Sequence, residues 1–184
     1  MKNLWLSPGS KKRLQGWWRR LLYLFHRGYV IRDIVVFPAP VLKEYCRPVL
    51  KIDGQAKAVV AALQKHLGAR YKLDKSTVSI LGLAAPQLGI NLRIFCVKYR
   101  GLDWVAINPQ IVREVGTQIT AECCESLPGK EYEVRRPKLI KIRALGLDGS
   151  EHLLKGHDLT AAILKHEYDH LDGIMINSIG RRLL

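Results

Sequence analysis

Apolar residues recur at two different periods along the chain, and the switch between them marks out its elements. Over residues 55–67 the spacing is helical, with Ala58-Val59-Val60-Ala61-Ala62-Leu63 free of charge and Gly68 placed to stop it. From Val78 the pattern changes to short β-type runs. Residues 93–98, 104–107, 118–121 and 138–143 alternate or cluster apolar side chains between Gly, Pro and Asn punctuation. Asp148-Gly149 marks a hairpin turn leading towards Leu153-Leu154. Helical spacing then returns over 159–171, with Asp158 or Thr160 placed to cap its start and Gly173 suited to the left-handed residue just past its end. Residues 33–50, broken by Pro38, Pro40 and Pro48, read as an irregular extended crossing of the surface. Helices and mostly antiparallel strands in this order predict an α+β fold.

Ahead of these elements, Leu14, Trp17, Trp18, Leu21 and Phe25 fall on one face of a helix bounded by Ser10 and Gly28. Residues 1–32 contain no acid but hold Lys2, Lys11, Lys12, Arg13, Arg19, Arg20, Arg27 and Arg32, which concentrates the chain's net charge of +14 at this end. The segment is a basic amphipathic extension, residues 1–30, whose apolar run is too short to span a bilayer and lacks the small-residue cleavage site of a secretory signal. Three roles suit it: docking on a partner protein, contact with a ribosome or membrane, and an organelle transit peptide. The rest of the 184 residues is long enough for one domain with a proper core. Four cysteines without an extracellular framework pattern fit a reducing compartment.

Chemistry concentrates in Lys165-His166-Glu167-Tyr168-Asp169-His170-Leu171-Asp172-Gly173. Residues four apart share a helix face, so His166 and His170 can grip one cation while Glu167 stands beside its open position. Leu159, Ala162 and Ile163 continue that face and give the site an apolar border. A catalytic zinc-type site needs a third protein ligand. The extended pattern HExxHxxGxxH fails at Ile176, and residues 171–184 offer no Glu, His or Cys, so the ligand lies upstream. Cys46, Cys96, Cys123, Cys124, His152 and His157 are its candidates.

Three motifs together give the chain a resemblance to the peptide deformylases. GxGxAAxQ stands as Ile80-Leu81-Gly82-Leu83-Ala84-Ala85-Pro86-Gln87, EGCxS as Glu122-Cys123-Cys124-Glu125-Ser126, and HExxH over 166–170, in the family's order and spacing. Weaker likeness covers 34–42 and Ile107-Asn108-Pro109, so that residues 31–184 read as the catalytic domain. The resemblance implies strands wrapped round a central metal-bearing helix, with Cys124, His166 and His170 as metal ligands and Glu167 as general base. It implies that the Gln87 amide and the backbone N–H of Glu125 stabilise the developing oxyanion, and that Leu81, Gly82, Leu159, Ala162 and Ile163 receive a methionine side chain. The implied reaction is removal of the formyl group from N-formylmethionyl peptides by a single divalent ion, Fe2+ or Zn2+, with Ni2+ and Co2+ also suited to a thiolate site. Alternatives are altered acyl or peptide specificity, or a non-catalytic binding protein on the same scaffold. It further implies a bacterial-type cytoplasm, or a mitochondrion or plastid if the leader is a transit peptide, and a ribosome contact through that leader. Ile80, Cys123, Glu125, Glu131 and Lys165 depart from the family's usual residues and are expected to border the substrate groove or the metal.

Overall fold

The computed structural model describes residues 34–67, 70–73 and 76–183. The expected leader helix, and Gly68 as a helix stop, lie outside the described residues. The first stretch is irregular as its prolines require, with a 3-10 turn at Pro40–Lys43 and one isolated bridge from Arg47 to Leu92. The uncharged helical run forms α1, Gly54–His66. Asp53 caps it, its carboxylate accepting from the N–H of Gln55 (2.9 Å) and of Ala56 (3.1 Å). Its inner stripe buries Ala56, Val59, Val60 and Leu63, the i, i+3, i+4, i+7 spacing of an amphipathic helix.

Strands β1 (Arg70–Leu73) and β2 (Ser76–Ser79) pair as an antiparallel hairpin. β3 (Gly82–Ala84) leads through a 3-10 turn at Ala85–Leu88 to β4 (Ile94–Tyr99) and β5 (Leu102–Val115). β6 (Gln118–Cys123), β7 (Glu131–Arg136), β8 (Leu139–Leu145) and β9 (Glu151–His157) follow, then the helix α2 (Asp158–Leu171), a short α3 (Ile176–Ile179) and β10 (Arg181–Arg182). The larger sheet has the order β3-β4-β5-β8-β9 and the smaller one β10-β7-β6, all antiparallel. The predicted strand at 104–107 lies in the first half of the much longer β5, and β7 was not predicted at all.

α2 packs against β3, β4, β8 and β9 of one sheet and against β6 and β7 of the other. Its core partners include Phe95, Ile140, Ile142 and Leu154. Neither expected cap closes its start: His157 is the N-cap residue and no side chain bonds there. β9 runs into the helix without a loop, so Asp158 already has a partner for its N–H in the carbonyl of Lys138 (2.8 Å) and enters the helix with φ of 47°. At the other end Gly173, φ 72°, completes a Schellman closure, its N–H donating to His170 O and that of Ile174 to Asp169 O. A side chain at Gly173 would also meet the carbonyl oxygen of Lys43 at 2.5 Å. Arg93 fixes the same end from β4's side, its Nη1 donating to Asp172 Oδ1 (2.8 Å) and Leu171 O (3.3 Å) while Tyr45 and Tyr168 flank its guanidinium.

Candidate metal and catalytic site

One turn of α2 sets His166 and His170 side by side, with Nε2 atoms 3.2 Å apart. Cys124 comes from the turn that leaves β6, held by Leu127 N–H on its carbonyl and by Phe37 N–H on that of Ser126. Its buried Sγ lies 3.4 Å from His170 Nε2. Ligand atoms of Cys124, His166 and His170 all fall within 4.8 Å of one another. The other upstream candidates are elsewhere. His152 bonds the Val105 carbonyl (3.0 Å), His157 is exposed ahead of α2, and Cys123 is exposed opposite Glu131. Cys46 and Cys96 are buried thiols, and burial pushes Cys46 up to about 11, which keeps it protonated and inert.

The three donors fit a metal ion. A tetrahedral ion at ordinary bond lengths sets nitrogen ligands about 3.3 Å apart and nitrogen and sulfur about 3.5 Å apart. The separations of 3.2 and 3.4 Å lie close to both. Burial lowers the His170 pKa well below its ordinary value and so leaves a neutral imidazole with a free lone pair. For His166 burial acts the same way but is outweighed by hydrogen bonds to Cys124 and Glu122, which favour positive charge at this spot. A divalent cation satisfies the same demand.

Behind His166 runs a buried chain of charges. Glu122 on β6 accepts from His166 Nδ1 (2.9 Å), which turns Nε2 towards the other ligands. Arg136 on β7 grips Glu122 with two bonds, Nε to Oε1 at 2.7 Å and Nη2 to Oε2 at 2.8 Å, and reaches Asp169 Oδ2 at 2.5 Å. Lys165 pairs with the other oxygen of Asp169. Burial pushes the Glu122 carboxyl up, but the Arg136 and His166 bonds overcome it and hold its pKa at about 2. Sequence reasoning gave Glu122, Arg136 and Asp169 no role. The one available signal was the alternation of Tyr132, Val134 and Arg136 along β7, which turns a charged residue inward.

Glu167 is buried beside the ligands, and its Oε2 has no hydrogen-bond partner among the described residues. Burial raises its pKa to about 7, the range of a group that takes and returns a proton at neutral pH. Gly82 makes room for it: a Cβ there would stand 2.5 Å from Glu167 Oε1. Gln87 is equally fixed. Its Oε1 accepts from the Ala84 N–H (2.9 Å), so its Nε2 faces Cys124 Sγ (3.7 Å) and Ser126 Oγ (3.5 Å). Glu167, Gln87, Cys124 and His166 border a cavity of about 260 Å3. Leu81, Gly82, Leu159, Ala162 and Ile163 line its apolar side and Glu125 is also on its wall.

Residues 31–181 match the model of the polypeptide deformylase family. A peptide deformylase of Clostridium botulinum is 39% identical over 145 residues, which span 79% of this chain and 93% of that relative. The chain belongs to the polypeptide deformylase family. Solved deformylases share the fold: that of Thermotoga maritima aligns with a TM-score of 0.68 at 29% identity over 84% of this chain and 98% of its own. A Synechococcus elongatus deformylase in complex with actinonin aligns at 0.69 and 28% identity over 78% of this chain and 75% of its own.

Against that deformylase pattern the unusual residues divide into two groups. Ile80, Cys123 and Glu125 do line the cavity, and burial raises the Glu125 pKa above its ordinary value. Lys165 and Glu131 were expected at the groove or the metal and are not on the cavity wall. Helical spacing draws Lys165 to Asp169 one turn on, and the β6–β7 register sets Glu131 opposite Cys123, one strand further from the cavity.

Proposed function

We propose that this chain hydrolyses the N-formyl group of formyl-methionine on nascent polypeptides, releasing formate and a free amine. The observation that carries the reading is the meeting of a buried carboxylate, a Cys-His-His donor set and a fixed amide at one small cavity. Cys124, His166 and His170 would hold one divalent ion, with Fe2+ and Zn2+ the first choices and Ni2+ and Co2+ also compatible with a thiolate ligand. Such an ion supplies Lewis acidity and brings the pKa of a water molecule near neutrality. Glu167 then takes the proton of the attacking water and hands it to the departing amine nitrogen. As the formyl oxygen gains charge, Gln87 Nε2 and the backbone N–H of Glu125 donate to it. Leu81, Gly82, Leu159, Ala162 and Ile163 receive the methionine side chain, Gly82 by letting the substrate backbone approach.

A formate-release assay on formyl-Met peptides, run beside acetyl-Met peptides, tests the reaction. Glu167→Gln should retain bound metal and lose roughly 10²–10⁴-fold in kcat. Equal turnover by the variant, or acetate release matching formate release, removes the assignment. Residues 1–30 we assign to a basic extension that touches ribosomal RNA, and 31–184 to the catalytic domain. A bacterial-type cytoplasm is the proposed site of action, with mitochondrion or plastid as the alternative that detection of a shortened mature chain in an organelle would select.

A further inference from the structure

At its β8–β9 end, the larger sheet's face away from the helix Asp158–Leu171 carries an arrangement that packing does not account for, α1 covering the β3–β4 part of that face. The sheet's registers place Arg113 on β5 opposite Lys141 on β8, and Lys141 opposite Lys155 on β9. Three cations therefore stand in line across three neighbouring strands, over about 10 Å at the usual strand spacing. Like charges directly opposite one another destabilise a sheet. None of the three forms an ion pair among the described residues; Glu114, next to Arg113, alternates to the opposite side of β5, opposite Ile140, and Glu151, on the side of the row, is paired with Arg143 at 3.7 Å. Arg143 and Gln110 form the next row of the same face, bonded to each other at 3.1 Å. The strands' other side buries Ile140, Ile142 and Leu154 in the core shared with α2, so the row is held on a rigid support.

We infer that this face binds the phosphate backbone of RNA. A rigid line of ammonium and guanidinium groups, flanked by further planar donors, matches regularly spaced phosphates, and residues 33–184 keep a net positive charge of +6, from 22 Lys and Arg against 16 Asp and Glu, that favours a polyanion. A bilayer fits less well. Its binding elements need a continuous apolar stripe, whereas Val115 and Leu153 lie on opposite flanks of the row and this face has no aromatic residue. The inference stands independently of the catalytic reading, since no residue of the row lines the cavity.

The test is fluorescence anisotropy of the full chain with a labelled RNA hairpin over a salt series. Arg113→Gln/Lys141→Gln/Lys155→Gln is compared with a control of equal charge change on and just before α1, outside the row, Lys51→Gln/Lys57→Gln/Lys65→Gln, whose residues are all exposed. Both chains keep the basic leader, so their difference reads the row. The row variant should bind about tenfold or more weakly, with a log Kd against log salt slope lower by about 2 to 3. The control should lose less than a third of that. Formyl-peptide hydrolysis should be unchanged and Tm should not fall, because repulsion is relieved. Equal weakening in both variants, an unchanged row variant, or binding confined to phosphatidylglycerol vesicles overturns the inference.

Discussion

Replacing Gly82 by alanine tests whether the position of Glu167, and not its mere presence, sets the rate. The added Cβ would stand 2.5 Å from Glu167 Oε1 and 2.7 Å from its Cδ and Cγ. Ordinary carbon contacts begin at about 3.5 Å, so the carboxylate must withdraw by close to 1 Å. The backbone itself accepts alanine, for Gly82 has no positive φ and pairs with Val97 as a normal strand residue. A displacement of about 1 Å at a reacting group costs on the order of 10²-fold in rate. Crowding in a filled site costs roughly 1–3 kcal/mol of stability. None of the close contacts involves Cys124, His166 or His170, so metal content should stay at the wild-type level. Formate release gives kcat and KM, and elemental analysis gives metal per chain. We expect kcat to drop about 100-fold with metal retained. In kcat the double variant with Glu167→Gln should be no slower than Glu167→Gln alone, since both changes reach the chemical step through one carboxylate, while hindered substrate approach at position 82 would show in KM. A Gly82→Ala enzyme within twofold of wild type, or losses that multiply in the double variant, would refute the reasoning.

Two further outcomes follow from the buried charges. Glu122→Gln should weaken metal binding about 10–100-fold by loosening His166, measured by competition with a chelating dye. In the metal-free protein the Glu122 pKa of about 2, below its ordinary 4.5, adds stability above that ordinary value, and it is lost as pH falls between the two. Urea unfolding should show about 3 kcal/mol of this loss in wild type and little in the variant; matching profiles would exclude it. Arg93→Ala should lower unfolding free energy by about 3 kcal/mol, because it strands Asp172 and frees the end of α2, with kcat within about twofold. A loss below about 1 kcal/mol would mean that neither the ion pair nor the stacking of Arg93 on Tyr45 and Tyr168 holds that end.

The elements that the sequence disclosed are those whose apolar periods are uninterrupted. α1, β4, β8 and α2 all have them, and each lies within two residues of its expected position. β7 was invisible because Glu131, Glu133, Arg135 and Arg136 swamp its two inward apolar residues, and because the inward position of Arg136 depends on Glu122 and Asp169 from two other elements. The cap of α2 was misread for a similar reason. Asp158 has the right residue type, but it enters the helix itself with φ of 47°, its N–H held by the carbonyl of Lys138 just before β8, and no side chain caps the start. At the site, the pair four apart on a helix was legible from spacing, whereas no local signal separates Cys124 from Cys123. Only the fold separates them: Cys123 continues the exposed positions Ile119 and Ala121 of β6, whereas Cys124, just past the strand, is buried against His170.

The donor set therefore depends on a tertiary event. Cys124 and Glu122 belong to the small sheet and its exit, while His166, Glu167 and His170 belong to a helix whose other side is embedded in the large sheet. Arg136 ties the two together, and its guanidinium, only 1% exposed, has its counter-charges only when Glu122 and Asp169 are brought together. Undocked, that charge would return to water and the sulfur would leave the imidazoles. A cation shared by Cys124 and the two histidines would bind the docked state alone, and its binding free energy would add to the stability of the interface that builds its site. Changes at Arg136 should then lower metal affinity and resistance to unfolding together, although its side chain touches no ligand atom of the three.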